Sequence, residues 1–143
     1  MTLLCVAGAR ISFSTPRGTL RAVDGVDLEL GASETVALVG ESGCGKSTLA
    51  KGIVGLEPLA AGSITFQGKA LDYQRERFRI SRQLQMVFQD PDASLNPRLT
   101  LNQALSEPLS IHRIVPRAQE EAAVSELLQR VGIDPVLRNR YPH

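Results

Sequence analysis

The stretch GESGCGKST, Gly40 to Thr48, constrains this chain more than any other. It follows an apolar run, TVALV (Thr35 to Val39), and precedes LAKGIVGL, where apolar residues recur at helical spacing. The run reads as a buried strand, and LAKGIVGL reads as a helix. Gly40, Gly43 and Gly45 let the backbone between them curl until consecutive N–H groups point inward, as an anion requires. A following helix adds the positive end of its dipole and its unpaired first-turn N–H groups. In the pattern G-x-x-x-x-G-K-[ST], Lys46 reaches the β and γ phosphates of a nucleotide and the Ser47 hydroxyl holds Mg²⁺. Glu41, Ser42 and Cys44 fill the free positions of the loop, and Thr48 stands where an N–H or hydroxyl meets the α-phosphate. The competing reading is a glycine-rich turn that merely joins two elements; the strand before and the helix after favour phosphate. Cys44 reads as a small side chain, with a reactive thiol as the alternative.

The rest of the chain narrows the class. A length of 143 residues suggests one domain. A net charge of +1, with no block of like charges, gives no electrostatic case for nucleic acid. No stretch of 18 apolar residues is present, and MTLLCVAGARIS lacks the basic and apolar regions of a signal peptide, so the expectation is a soluble chain. Two cysteines, Cys5 and Cys44, fit a reducing compartment better than a disulfide framework, and no His/Cys cluster has zinc spacing.

Glycine divides the chain into two textures: eleven of the twelve lie at or before Gly68. The first half reads as short strands and tight turns, with VDLEL (Val26 to Leu30) and SITFQ alternating before Gly68-Lys69. From about Leu95 the pattern becomes helical. Pro116 stands near a helix start, and Val124, Leu127, Leu128 and Val131 recur at i, i+3, i+4 and i+7 before Gly132 closes the helix. Glu120, Glu121, Glu126 and Arg130 take its wet face, as solvation and not chemistry. Between the halves, Leu84 to Phe88 reads as a second buried strand ending in Gln89-Asp90-Pro91. A polar residue at the C-terminal end of a strand in an α/β sheet sits where ligands bind, which places Gln89 to reach a metal ion or an attacking water; the alternative is a turn residue.

GESGCGKSTLAKGIVGLEPLAAGSITFQGK, followed by MVFQDPDASLNPRLT and RYPH, closely resembles the ATP-binding subunits of ABC transporters, in the oligopeptide, dipeptide and nickel uptake branch. The resemblance runs from about Ile11 to His143 and rests on three motifs in the expected order. It implies an α/β, P-loop NTPase core of ABC type with an N-terminal antiparallel β subdomain and the start of a helical subdomain, the domain being incomplete. The implied division is 1–89, β-rich with the phosphate loop, and 90–143, a helical portion. The implied cofactors are ATP and Mg²⁺. Gln89 corresponds to the glutamine that contacts Mg²⁺ and water and links the nucleotide site to the helical subdomain. Phe13 corresponds to an aromatic that stacks on adenine, although a core phenylalanine on an alternating strand is an equal reading. The implied partners are membrane subunits, docking near NPRLTLNQAL and its Arg98, a second ATP-binding subunit and, indirectly, a solute-binding protein. The implied location is the cytoplasmic face of the cell membrane.

Two departures from the family carry expectations. GASET puts Ser33 where the family places a turn glycine, and the turn is expected to be rebuilt with Gly31. A Ser-Gly-Gly-Gln signature, an aspartate preceded by four apolar residues, the glutamate after it and the switch histidine do not occur in these 143 residues. His143 corresponds to the lead-in of the signature. The expectation is a chain that binds Mg-ATP with negligible turnover and is marginally stable alone, since the TVALV strand would lack neighbours. A non-catalytic nucleotide-binding or interaction module is the alternative. A GTPase or small-molecule kinase is disfavoured because neither Asn-Lys-x-Asp nor Asp-x-x-Gly occurs. Solute and direction of transport are not encoded in these residues.

Overall fold

The long first strand has its apolar residues out of phase: Leu4 and Val6 fall on one alternation, Ala9 and Ile11 on the other. An extra residue between the pairs would bring all four to one face, because one residue shifts a strand's side chains to the opposite side. The computed structural model, which describes residues 2–90 and 94–142, contains that correction. Strand β1 (Thr2–Thr15) pairs antiparallel with β2 (Gly18–Gly31), and its register shifts between Val6 and Ala9. Gly8 occupies the irregularity with φ +56°, and its N–H donates to Asp27 Oδ1 at 2.6 Å. Leu4, Val6, Ala9 and Ile11 are all buried as a result.

The sheet has four strands in the order β2-β1-β3-β4. Strand β3 (Ala61–Phe66) pairs antiparallel with β1, as the SITFQ alternation predicts, and buries Ile64 and Phe66. Gln67 and Gly68, at φ +53° and +75°, form the two-residue turn into β4 (Lys69–Ala70); a loop with two left-handed residues matches the twist of the strands it joins. Helix α1 (Lys46–Ile53) lies against this sheet, with Leu49 in the same core. Its approach requires Gly52, where a Cβ would come within 2.6 Å of Ile11 Cδ1. A short helix, α2 (Arg77–Gln83), follows, with Ile80 buried.

Two expected strands are not strands. Thr35–Val39 is irregular and exposed, Val39 being 90% accessible, and Leu84–Phe88 is likewise unpaired, with Val87 at 96%. Both runs have strand-like sequences, yet a strand forms only where another supplies its hydrogen bonds. Among the described residues neither run has such a neighbour, and all the strand pairs are antiparallel.

The chain divides into two compact units, Met1–Met86 and Val87–His143. The second has its own core of Leu109, Val124 and Leu128, between α3 (Leu101–Ile111) and α4 (Glu120–Arg130). Helix α3 starts at Thr100 with a reciprocal capping box to Gln103, a T-x-x-Q pattern legible in the sequence. Helix α4 ends as Gly132 predicts, at φ +77°, but Val131 caps it and is 70% exposed instead of continuing the apolar face. Two of the three glutamates expected to be solvated have partners: Ser110 Oγ donates to Glu120 Oε1 at 2.7 Å, and Glu121 pairs with Arg138.

Candidate functional site

The phosphate loop leaves the unpaired run at Gly40 and enters α1 at Lys46. Its curl depends on two left-handed glycines, Gly43 at φ +82° and Gly45 at +100°. Gly45 caps α1 without a side chain. A Cβ there would come within 2.2 Å of the Ala22 carbonyl oxygen, so β2 forms a wall on which the loop rests. Sequence reading does not find this contact, because it joins backbones 23 positions apart and leaves no mark beyond the glycine.

Lys46 turns its ammonium back across the loop. Nζ donates to the carbonyl oxygens of Gly40 at 2.7 Å and Glu41 at 2.6 Å, and lies 3.4 Å from Cys44 Sγ. These bonds fix the charge at the mouth of the curl. Cys44 N–H closes the preceding turn on the Glu41 carbonyl, and the Cys44 side chain leaves no room for a Cβ on Gly40, which would lie 2.9 Å from Sγ. The Cys44 thiol is free and exposed on the loop. Ser47 and Thr48 occupy the first turn of α1, Ser47 exposed and Thr48 half-buried, and first-turn N–H groups have no partner within a helix. Glu41, Ser42 and Gly43 are exposed. A hollow of about 160 Å³ beside the loop is lined by Ala22, Val23, Leu38, Cys44, Lys46 and Leu49, among others.

The other residues singled out in the sequence are Phe13, Gln89 and Arg98. Phe13, on β1, is half-buried and packs against the sheet core. Gln89 is exposed in an irregular segment, so it does not end a strand as expected; Leu84–Phe88 forms none. Arg98 is exposed and its N–H donates to Asn96 Oδ1 at 3.0 Å, making Asn96-Pro97-Arg98 a turn before α3. Pro91, in the Gln89-Asp90-Pro91 reading, and His143, in the RYPH segment, lie outside the described residues. The turn after β2 keeps its left-handed residue at Ser33, φ +59°, and closes on Gly31, whose N–H donates to Glu34 Oε2 at 2.5 Å and whose carbonyl accepts from the Glu34 N–H at 3.4 Å.

The donor set suits a nucleotide's phosphates with a small hard cation: a cation at the loop mouth, unpaired helical N–H groups and one exposed hydroxyl. Among the described residues no group of three or more His, Cys, Asp or Glu side chains gathers to hold a metal, so an ion here would rely on Ser47 and on phosphate oxygens. No helix among them is long and apolar enough to cross a membrane.

The sequence profile of the family described as ABC transporter matches residues 23–142. The chain belongs to the ABC transporter family. Among similar proteins, this ABC chain is 41% identical over 145 residues to the oligopeptide transport ATP-binding protein OppF of Bacillus subtilis, covering 99% of this chain and 48% of that protein. It is 46% identical over 134 residues to OppF of Escherichia coli, covering 92% of this chain and 40% of that protein. It thus spans less than half the length of these curated relatives. Its fold is that of ATP-binding cassettes: a dimeric cassette in a post-hydrolysis state bound to ADP and Pi superposes with a TM-score of 0.80 at 20% identity, over 98% of this chain and 62% of that one. The cassette cbiO1 from Clostridium perfringens superposes with a TM-score of 0.72 at 28% identity, over 98% of this chain and 54% of that one.

Proposed function

We propose that this ABC chain is the nucleotide-binding part of a subunit that energises import of peptides or related small solutes. The observation that carries the reading is the phosphate loop, curled on Gly43 and Gly45 with the Lys46 ammonium at its mouth, in a chain similar to oligopeptide transport ATP-binding proteins. The assigned ligand is Mg-ATP, which supplies the phosphoryl group and the metal charge. Lys46 binds the β and γ phosphates, the glycine N–H groups cradle them, Ser47 holds Mg²⁺ and Thr48 meets the α-phosphate. Gln89 is assigned to positioning Mg²⁺ and water, and Phe13 to the adenine. The assigned partners are membrane subunits, a second ATP-binding subunit and, through them, a solute-binding protein, at the cytoplasmic face of the membrane.

For these 143 residues by themselves the proposal is binding with negligible turnover, because no aspartate preceded by four apolar residues is among them to hold the metal and no glutamate follows one to polarise water. Titration with a fluorescent ATP analogue and Mg²⁺ tests the binding: loss of a charge-assisted contact in Lys46→Ala is expected to weaken it about tenfold or more. Equal binding by wild type and variant, or a clear preference for GTP in competition, would overturn the reading. Steady-state phosphate release abolished by the same substitution would overturn the turnover statement alone.

A further inference from the structure

Strand β4 is too short to cover β3. It pairs only with Thr65 and Phe66, and one further bond, from the Leu71 N–H to the Ile64 carbonyl at 2.9 Å, ends the contact. Asp72 then turns the chain away, its Oδ1 accepting from the N–H groups of Gln74 at 3.1 Å and Arg75 at 3.0 Å. Among the described residues the outer edge of β3 at Gly62 and Ser63 therefore has no strand beside it. An open sheet edge of this kind offers its backbone groups to an extended chain laid along it.

That edge borders a hollow of about 900 Å³ that lies within the first unit and is lined by no residue of the phosphate loop. Tyr73 braces one wall, its hydroxyl donating to the Ile53 carbonyl at the end of α1. Leu56, Leu59, Ile64, Leu71 and Ile80 make the lining apolar, and Leu56 is 55% exposed. Three charged side chains line it as well: Glu57, Asp72 and Arg77. Asp72 is already satisfied by the two N–H groups and by the Arg75 guanidinium at 3.7 Å. Glu57, half-buried, and Arg77, exposed in the first turn of α2, form no ion pair with each other or with any other described residue. A simple anion would meet the Glu57 carboxylate and a simple cation the Arg77 guanidinium, whereas a molecule carrying both charges satisfies both. We propose that this hollow is a binding site for a short zwitterionic peptide with apolar side chains, its ammonium on Glu57, its carboxylate on Arg77 and its backbone along the Gly62–Ser63 edge.

The test titrates the ¹⁵N-labelled 143-residue chain with the unlabelled peptide Leu-Leu-Leu and follows amide shifts, which report both affinity and place. Shifts are expected at Gly62, Ser63, Ile64 and Gln74, with binding about tenfold weaker in Glu57→Gln and in Arg77→Gln. Capping the peptide supplies the complementary half of a double-mutant cycle. The N-acetyl peptide is expected to bind wild type about tenfold more weakly and to lose nothing further in Glu57→Gln; the C-terminal amide is expected to behave likewise with Arg77→Gln. No binding by wild type, shifts confined to Gly40–Thr48, or unchanged affinity in either variant would each overturn the proposal. Equal affinity for the peptide capped at both ends, the behaviour of an internal segment of a protein, would overturn it too.

Discussion

The β1-β2-β3 sheet and the two apolar runs at Thr35–Val39 and Leu84–Phe88 have similar residues and opposite fates. Both are rich in β-branched and large aliphatic side chains, and both read as strands. In the sheet each strand finds a partner: β1 and β2 are joined by a two-residue turn at Pro16-Arg17, and β3 returns to β1 from about fifty residues further along the chain. The runs find none, and Val39 and Val87 stand almost fully in solvent. Propensity therefore selects an extended conformation, while pairing decides whether burial follows.

The strongest way to break this contrast is to truncate one aliphatic residue on each side of it. Ile11 is 1% exposed at the contact of β1 with α1, and Ile11→Ala is expected to lower stability by about 3 kcal/mol through lost burial and the cavity left behind. Val39→Ala removes methyl groups already in water, and the change is expected to stay within about 0.5 kcal/mol. Urea unfolding followed by circular dichroism measures both. Comparable losses would mean that Val39 is covered in solution and that the run is paired there.

A smaller effect sharpens the boundary on the α2 side, where the second run departs. Tyr73 lies over Gly55, whose added Cβ would come within 2.1 Å of its ring, and its hydroxyl donates to the Ile53 carbonyl at 2.5 Å. It thereby ties the end of α1 to the segment that leads into α2, and burial pushes its phenol up to about 12. An unfolded tyrosine ionises near pH 10, so between about pH 10 and 12 the unfolded chain gives up its proton first and stability falls as pH rises; below pH 10 this contribution is fully present. With solvent screening at a half-buried site the loss is expected to be about 1 kcal/mol. Alkaline melts of wild type and Tyr73→Phe compare the slopes. An equally steep fall in the variant would show that another group titrates there.

The same contrast explains which features were legible in the sequence. Strand β3 and the turn after it were legible because alternation and the Gly68 turn are local, and the end of α4 was legible from Gly132. The phosphate loop was legible as a motif, since its glycines carry their own backbone demands. Pairing was not: Val36 and Leu38 have the pattern of a buried strand whether or not a neighbour exists. Val131 was misplaced because the left-handed Gly132 turns the chain one residue after it, ending the helical periodicity early. The Ala22 carbonyl against Gly45, and the lysine folded back onto Gly40 and Glu41, depend on tertiary placement that no local pattern reports.

The smallest predicted effect falls at the joint between the two regions. The chain leaves β2 at Gly31 and reaches the unpaired run through Ser33, whose φ of +59° is left-handed. A serine there keeps a Cβ where glycine would be relaxed, and the turn is held by the Gly31 N–H on Glu34 Oε2. Ser33→Gly removes that steric penalty but adds freedom to the unfolded chain, two effects of opposite sign. The steric term is about 1 kcal/mol and the entropic one somewhat smaller, so a net gain of about 0.5 kcal/mol is expected, measured as a raised urea midpoint. The gain belongs to the turn and not to the run it leads into. Amide exchange should therefore slow around Gly31 and Glu34 and stay fast from Val36 to Val39. Slower exchange along the whole run would mean that the turn, and not the missing partner strand, is what keeps Thr35–Val39 out of a sheet.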